Sequence, residues 1–265
     1  MTPPTWLLDL DGVLWLGDRP IPGASDAVAR LRRAGCALGF CTNNSHATID
    51  DYLSKLAAHH VEARPEELLT SAMALGRIVE PGQRVLVCGG PGLVQAVVAA
   101  GGLVVDEHVV ERAIDQGGED PVDLVAVGFN PDFDYHLMTR ATRAVLAGAR
   151  LVASNDDPIY PSGDGPVPGA GAILASIERA TGATAKIAGK PHQAMAALAL
   201  DRYPGGGVMV GDSLDTDGAF ADALGWPFGL VLTGNTSANR VPPDSAAEWV
   251  ADDLAALVDR HLALR

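Results

Sequence analysis

The chain has 265 residues, 48% apolar and 20% charged, enough for one large or two modest domains with packed cores and unlike a disordered or low-complexity chain. Its formal net charge of -14 argues against a long basic groove for nucleic-acid backbones, and any anionic ligand would need local positive charge or a metal. Cys36, Cys41 and Cys88 are widely spaced with no CxxC pair. That argues against a disulfide framework or a thiolate zinc site and fits a reducing cytoplasm. The start MTPPTWLLDLDG lacks the basic region and apolar run of a signal peptide, and no apolar stretch reaches the roughly 20 residues that span a bilayer. A cytoplasmic protein without a membrane or nucleic-acid partner is expected, and the sequence leaves its assembly open between monomer and homodimer.

Short β-like runs alternate with helical stretches from the first residues on. Thr5–Asp9 reads as a strand ending at carboxylates, and Ser25–Ala34 as a helix with Ser25 as N-cap and Ala27, Val28 and Leu31 on one face. Ala37–Thr42 reads as the next strand, followed by helical patterns around 47–59 and 66–79. A second unit begins near Pro81-Gly82, with strands at 84–88, 123–127 and 151–154 and helices at 93–100 and 135–147. The Gly/Pro-rich stretch Pro161–Gly171 reads as a return linker. A helix at 172–180, a strand at 207–210, a helix near 217–224 and a strand at 228–232 complete the pattern. Such alternation predicts parallel sheets covered by helices, without an internal repeat.

Four segments carry chemistry. Asp9-Leu10-Asp11-Gly12-Val13 closes the first strand, where open parallel sheets place their ligands. Of two carboxylates two residues apart, one can attack phosphorus while the other moves protons; an ordinary turn with solvated aspartates is the plainer alternative. Thr42-Asn43-Asn44-Ser45 closes the second strand and offers a hydroxyl, two amides and helix N–H groups to phosphate oxygens, although Ser45 or Asn44 could simply cap the following helix. Gly189-Lys190-Pro191 places a lysine that could neutralise phosphate and aspartate together, or lie on a surface turn. It is no Walker A loop, because Thr184 and Pro191 stand where glycine and Ser/Thr are required. Gly211–Asp217 carries Asp212, Asp215 and Asp217 on one turn, which suits a hard cation, although Asp215 or Thr216 could start a helix, and for Asp215 the cap is the preferred reading.

In the order DxDGV, TNNS, GKP and GDxxxTD, these segments resemble the four motifs of the haloacid-dehalogenase superfamily. DLDGVLW, RPIPGA, TSA, PGAGA and IAGKP extend the resemblance over essentially the whole chain to its NagD-like, or 4-nitrophenylphosphatase, subfamily. The resemblance implies an α/β fold, with a Rossmann-like parallel-sheet core at 1–80 and 180–265 and an inserted α/β cap at 81–179. It further implies a phosphatase acting on a small phosphorylated metabolite through an aspartyl-phosphate. Asp9 would be the nucleophile, Asp11 the general acid/base, and Lys190 the bridge between Asp9 and the phosphoryl group. Thr42 and Asn43 would bind the transferring phosphoryl group, with Asn44 a further substrate-binding residue. Asp9, the Asp11 carbonyl and Asp212 would hold Mg²⁺, with Asp217 supporting the metal or steadying Lys190. His46 after TNNS and Gly218 after Thr-Asp depart from the family pattern without touching the expected chemistry.

Ser154–Tyr160 resembles the family's ATNxD segment, and Tyr160 is the candidate for leaving-group contact; a turn fixed by Asp156 and Pro158 is the alternative. Gly89-Gly90-Pro91-Gly92 is a tight turn rather than a dinucleotide loop, since Gln95 replaces the third glycine. His59-His60 ends a helix, Cys41 is a buried strand residue, and Trp15 packs in a flap beside the site or in the core. Two rivals share the machinery: a phosphotransferase or mutase with a second acceptor, and a binding protein that kept the fold. Intact Asp9, Asp11, Lys190 and Asp212 disfavour the latter.

Overall fold

In the computed structural model, residues 4–105, 122–162, 165–243 and 245–263 are described. Their contacts divide them into two compact units, one drawn from Met1–Thr42, Ile49–Leu69 and Lys190–Arg265, the other from Asn43–Thr48 and Thr70–Gly189.

The first unit is built on a six-stranded sheet. Its strand order is Trp249–Ala251, Phe228–Val231, Gly207–Gly211, Thr5–Asp9, Ala37–Thr42, Leu68–Thr70. From Trp249–Ala251 across to Ala37–Thr42 every pairing is parallel, and Leu8 stands between Val210 and Phe40. Parallel strands bury both faces, which explains the unbroken burial of Thr5–Asp9 and the apolar runs in its neighbours. Helix Ala24–Arg33 buries Ala24, Ala27, Val28 and Leu31, the predicted face extended by one turn. Its cap differs from expectation. The chain enters through Gly23 in the left-handed region (φ 78°), so the helix begins one residue before Ser25.

The second unit has its own five-stranded parallel sheet, in the order Lys186–Ile187, Arg150–Ala153, Leu124–Val127, Arg84–Cys88, Leu103–Val104. Helices Tyr135–Leu146 and Ala170–Thr181 contribute Ala141, Ala144, Ile173, Leu174 and Ile177 to its core. The stretch read as a return linker instead contains an antiparallel pair, Ile159–Ser162 with Gly165–Pro168. Its prolines hid it, because proline removes ladder donors and is tolerated only where a strand has a free edge. The helical pattern at 66–79 resolves into a 3₁₀ turn, the strand Leu68–Thr70 and the helix Ser71–Gly76. Thr70 ends that strand by accepting the Met73 N–H on its side chain, a helix N-cap.

The loop Asn43–Thr48 belongs to the second unit because it packs on the start of helix Pro91–Ala99. Gly92 N–H donates to the His46 carbonyl at 2.8 Å. A Cβ on Gly90 would collide with the His46 ring, and one on Gly92 with the Ala47 carbonyl. The glycines of this segment thus permit a close backbone approach, in keeping with the tight-turn reading.

Candidate active site

The order of the first sheet explains where its charged residues collect. From Thr5–Asp9 the chain steps outward through Ala37–Thr42 to Leu68–Thr70; it returns on the opposite side of Thr5–Asp9 and steps outward through Gly207–Gly211, Phe228–Val231 and Trp249–Ala251. The direction of winding therefore reverses between Thr5–Asp9 and Gly207–Gly211. Open α/β sheets bind ligands at the carboxyl ends of such a pair. Asp9 ends the one strand, and Asp212 follows the other.

Asp9, Asp212 and Asp217 are buried, with one carboxylate oxygen from each lying within 4.8 Å of the others. Lys190 is 2% exposed, and its Nζ donates to Asp9 Oδ1 at 2.5 Å and to Asp217 Oδ1 at 2.6 Å. Asp217 Oδ2 accepts the Asp212 and Ser213 N–H groups at 3.1 and 3.2 Å, so both of its oxygens hold neighbours in place. Asp212 Oδ2 accepts the Asn235 N–H at 2.5 Å, and its carbonyl accepts the Thr236 N–H at 3.0 Å. Glycines make this crowding feasible: a Cβ on Gly12, Gly211 or Gly234 would overlap the Asp212 or Asp217 carboxylate. Gly12 is also left-handed, with φ 88°, and its carbonyl accepts from the Thr233 hydroxyl.

With all three carboxylates ionised, a single ammonium would leave negative charge in excess in the cluster. Burial, then the charge of Asp217, push Asp212 up to about 7 against the opposing Asn235 N–H. Burial also raises Asp9 well above the carboxylate range; Lys190 opposes it, while Asp217 and Asp212 add to it. Burial alone would lower Lys190, yet Asp217 and Asp9 outweigh it and keep the ammonium charged. A divalent cation would supply the missing charge, and an all-oxygen donor set suits Mg²⁺ or Ca²⁺ rather than a softer metal. The residues present therefore fit the metal expected from the sequence.

Asp11 lies just beyond, half-buried, and accepts the Trp15 indole N–H on Oδ1 at 2.9 Å. Burial raises its carboxyl, opposed by the charge of Lys55 and by the indole. Thr42 is buried at the end of Ala37–Thr42, one residue past Cys41, which is the register partner of Asp9. Cys41 is fully buried, and burial pushes its thiol to about 12, consistent with a strand residue rather than a nucleophile.

Asn43, Asn44 and Tyr160 are members of the second unit, where they enter a network of amides, a ring and the Asp157 carboxylate. Asn43 Nδ2 donates to Asp157 Oδ2 at 3.0 Å, and the Asn43 carbonyl accepts from Asn155 Nδ2 at 2.6 Å and Ser71 Oγ at 2.5 Å. Asn44 Nδ2 donates to the Tyr160 hydroxyl at 3.0 Å, and the Tyr160 ring stacks on Phe129 with centroids 4.7 Å apart. The cap reading of Asn44 and Ser45 does not hold. The following helix starts at Ile49; Asn44 Oδ1 accepts the His46 N–H, and Ser45 Oγ meets Ser154 Oγ at 2.8 Å. Asp215 and Thr216 do not cap either: Ser213 accepts the Thr216 N–H at the start of the turn Leu214–Gly218. In the Asn155–Tyr160 loop, Asn155 Oδ1 accepts the Asp157 N–H at 3.2 Å.

Sequence reading missed the Thr233–Thr236 segment that embraces Asp212. The signal was available, since Thr-Gly-Asn-Thr follows a strand on the same side of the sheet. Among the described residues, no helix is long and apolar enough to cross a membrane.

Residues 6–102 match the family model for haloacid dehalogenase-like hydrolases, and 187–257 match a second, HAD-hydrolase-like model. The chain is 35% identical over 222 residues to the acid sugar phosphatase of Staphylococcus aureus, covering 80% of each protein. The p-nitrophenyl phosphatase of Archaeoglobus fulgidus superposes with a TM-score of 0.85 at 29% identity, over 98% of this chain and 100% of that one. The glycerol phosphate phosphatase of Mycobacterium tuberculosis, crystallised with magnesium, gives 0.84 at 32% identity, over 97% of this chain and 76% of that one. With the acid cluster placed at the sheet's winding reversal, these similarities lead to one conclusion: the chain belongs to the haloacid dehalogenase-like hydrolases, in their NagD-like branch, and is a phosphoric monoester hydrolase.

Proposed function

We propose that the protein hydrolyses a small phosphorylated metabolite in two steps, through an aspartyl-phosphate on Asp9. The observation that carries this reading is the buried Lys190 ammonium clamped between Asp9 and Asp217, with Asp212 beside them. In the first step an Asp9 oxygen bonds to phosphorus, the bond to the leaving oxygen breaks, and Asp11 gives that oxygen a proton. In the second, water attacks phosphorus, Asp11 takes a proton from it, and Asp9 is released. Lys190 balances charge as it moves between Asp9 and the phosphoryl oxygens, while Asp217 orients the ammonium.

Asp9, the Asp11 carbonyl and Asp212 are the groups proposed to hold Mg²⁺, with Asp217 in support. When bound, the ion neutralises the cluster and the phosphoryl oxygens, so that an anionic substrate can approach. Thr42, Asn43 and Asn44 are assigned to phosphoryl oxygens on their donor chemistry. Segment 81–179, within Thr70–Gly189, is proposed as the cap, with Tyr160 offering a ring and a hydroxyl to the substrate's organic part. The relatives' names point to sugar, glycerol and aryl phosphates, so a small phosphate monoester is the substrate class.

Phosphate release from a panel of such esters, with and without Mg²⁺, tests the reading. Metal-dependent release with no added acceptor is expected from wild type, and none from Asp9→Asn. Turnover that requires an organic acceptor would make the protein a phosphotransferase.

A further inference from the structure

The DLDGVLW segment contributes more than its aspartates. Trp15, four residues after Asp11, is fully buried, and its Nε1–H donates to Asp11 Oδ1. The backbone reinforces the pairing: Gly12 N–H donates to the Trp15 carbonyl at 2.7 Å, and Asp11 and Trp15 form an isolated bridge. The ring is itself held. His59 stacks on it at 5.3 Å between centroids, and Lys55 Nζ stands 4.6 Å from the ring centroid while donating to the Gly17 carbonyl at 2.8 Å. Lys55 comes from helix Ile49–Ala58 and His59 from the turn after it, so one rigid element fixes the indole. A half-buried carboxyl without a fixed donor can turn between rotamers. A locked donor on one oxygen selects a single orientation and leaves proton transfer to the other.

We propose that Trp15 is a positioning residue for the acid/base steps, its indole N–H holding Asp11 Oδ1 so that Oδ2 serves the reaction. This rests on the assignment of Asp11 as general acid/base. When the phosphoenzyme forms, the Asp9–phosphorus bond forms, the ester bond breaks and the Asp11 proton passes to the leaving oxygen. When it is hydrolysed, the water oxygen bonds to phosphorus, Asp11 takes the proton and the Asp9–phosphorus bond breaks. An aryl phosphate with a good leaving group hardly needs the first proton, whereas every substrate needs the second transfer. Loss of the indole donor therefore has a signature that loss of packing lacks.

Quenched-flow kinetics with saturating Mg²⁺, on glycerol phosphate and 4-nitrophenyl phosphate, test this. The variants are Trp15→Phe and a replacement of Trp15 by 3-benzothienylalanine, which keeps the ring volume and exchanges N–H for sulfur. The expected result is a kcat for glycerol phosphate lower by about tenfold or more with KM changed by less than about twofold. With 4-nitrophenyl phosphate, a stoichiometric burst of nitrophenol should precede slow turnover as phosphoenzyme accumulates. Should Trp15→Phe fail to fold, the near-isosteric replacement decides. Equal losses on both substrates without a burst, or no loss, would reduce the indole to a packing group and overturn the proposal. Asp11→Asn is the control. Wild-type turnover in that variant would remove the acid/base reading itself, whatever the Trp15 variants show.

Discussion

The two places where the sequence motifs came to rest are built from opposite materials. In the first unit, Asp9, Asp212, Asp217 and Lys190 are buried charges fixed to strand ends and to backbone N–H groups. In the second, Asn43, Asn44, Asn155 and Tyr160 bring amides, a hydroxyl and a stacked ring together with the Asp157 carboxylate. Buried charges are strong and intolerant of displacement, because each unpaired one carries a desolvation cost of several kcal/mol. Amides and aromatic rings are weaker and re-pair at little cost. The difference teaches that, under the proposed function, bond-breaking and recognition would rest on sites of different rigidity, so substitutions should fall into two classes.

Substitutions in the charged cluster should show the largest effects. Asp9→Asn nearly conserves volume, so the fold should survive by circular dichroism while kcat falls on the order of 10⁴-fold or more. Near wild-type activity would remove the division between the two regions. Lys190→Met should lower kcat roughly 10²- to 10³-fold and move KM far less, because the ammonium matters most as charge shifts. A raised KM with unchanged kcat would make Lys190 a ground-state anchor. Excess chelator should abolish turnover and Mg²⁺ restore it; restoration by Zn²⁺ alone would contradict the hard-cation reading.

In the amide and ring network the effect should be selective. Tyr160→Ala should reorder kcat/KM among substrates by about tenfold, affecting an aryl phosphate least. A uniform fall on every substrate would make Tyr160 structural.

The smallest effect on activity is expected from an ion pair outside both regions. Glu67 is 4% exposed and accepts Arg32 Nη1 and Nη2 at 2.8 and 2.9 Å and the Arg64 N–H at 2.9 Å. Burial pushes its carboxyl up, but the bonds from Arg32 and Arg64 prevail and hold it below the usual range. A depressed folded-state value stabilises above the unfolded value and is lost as pH falls through the folded one. Glu67→Gln should therefore cost about 2 kcal/mol at pH 7 with kcat unchanged, and the gap from wild type in thermal melts should close below about pH 4. A gap independent of pH would mean that packing, not charge, is lost.

The charged cluster was legible in the sequence because its residues fall in short motifs, with Asp9 at the end of one strand and Asp212 just past another, where apolar runs stop abruptly. The fold was legible for the same reason, since long buried strands such as Thr5–Asp9 and Ala37–Thr42 leave clear apolar blocks. Leu68–Thr70 was hidden because a three-residue strand has no periodicity of its own and runs into a helix. The Ile159–Pro168 pair was masked by proline. Thr-Gly-Asn-Thr after its strand was a readable signal for that segment, but backbone donors carry no residue signature, so the particular bond from Asn235 N–H to Asp212 was not. The Trp15 bond to Asp11 joins two residues recognisable in the sequence, but only rotamers settle its geometry.

The central claim is that phosphate passes through Asp9. Borohydride reduces an acyl phosphate to an alcohol, so trapping the enzyme during turnover and mapping peptides by mass spectrometry tests the claim most directly. The account predicts reduction at Asp9, dependent on substrate and Mg²⁺ and absent from Asp9→Asn. Turnover with no reduced Asp9, or with the modification on another residue, would contradict it.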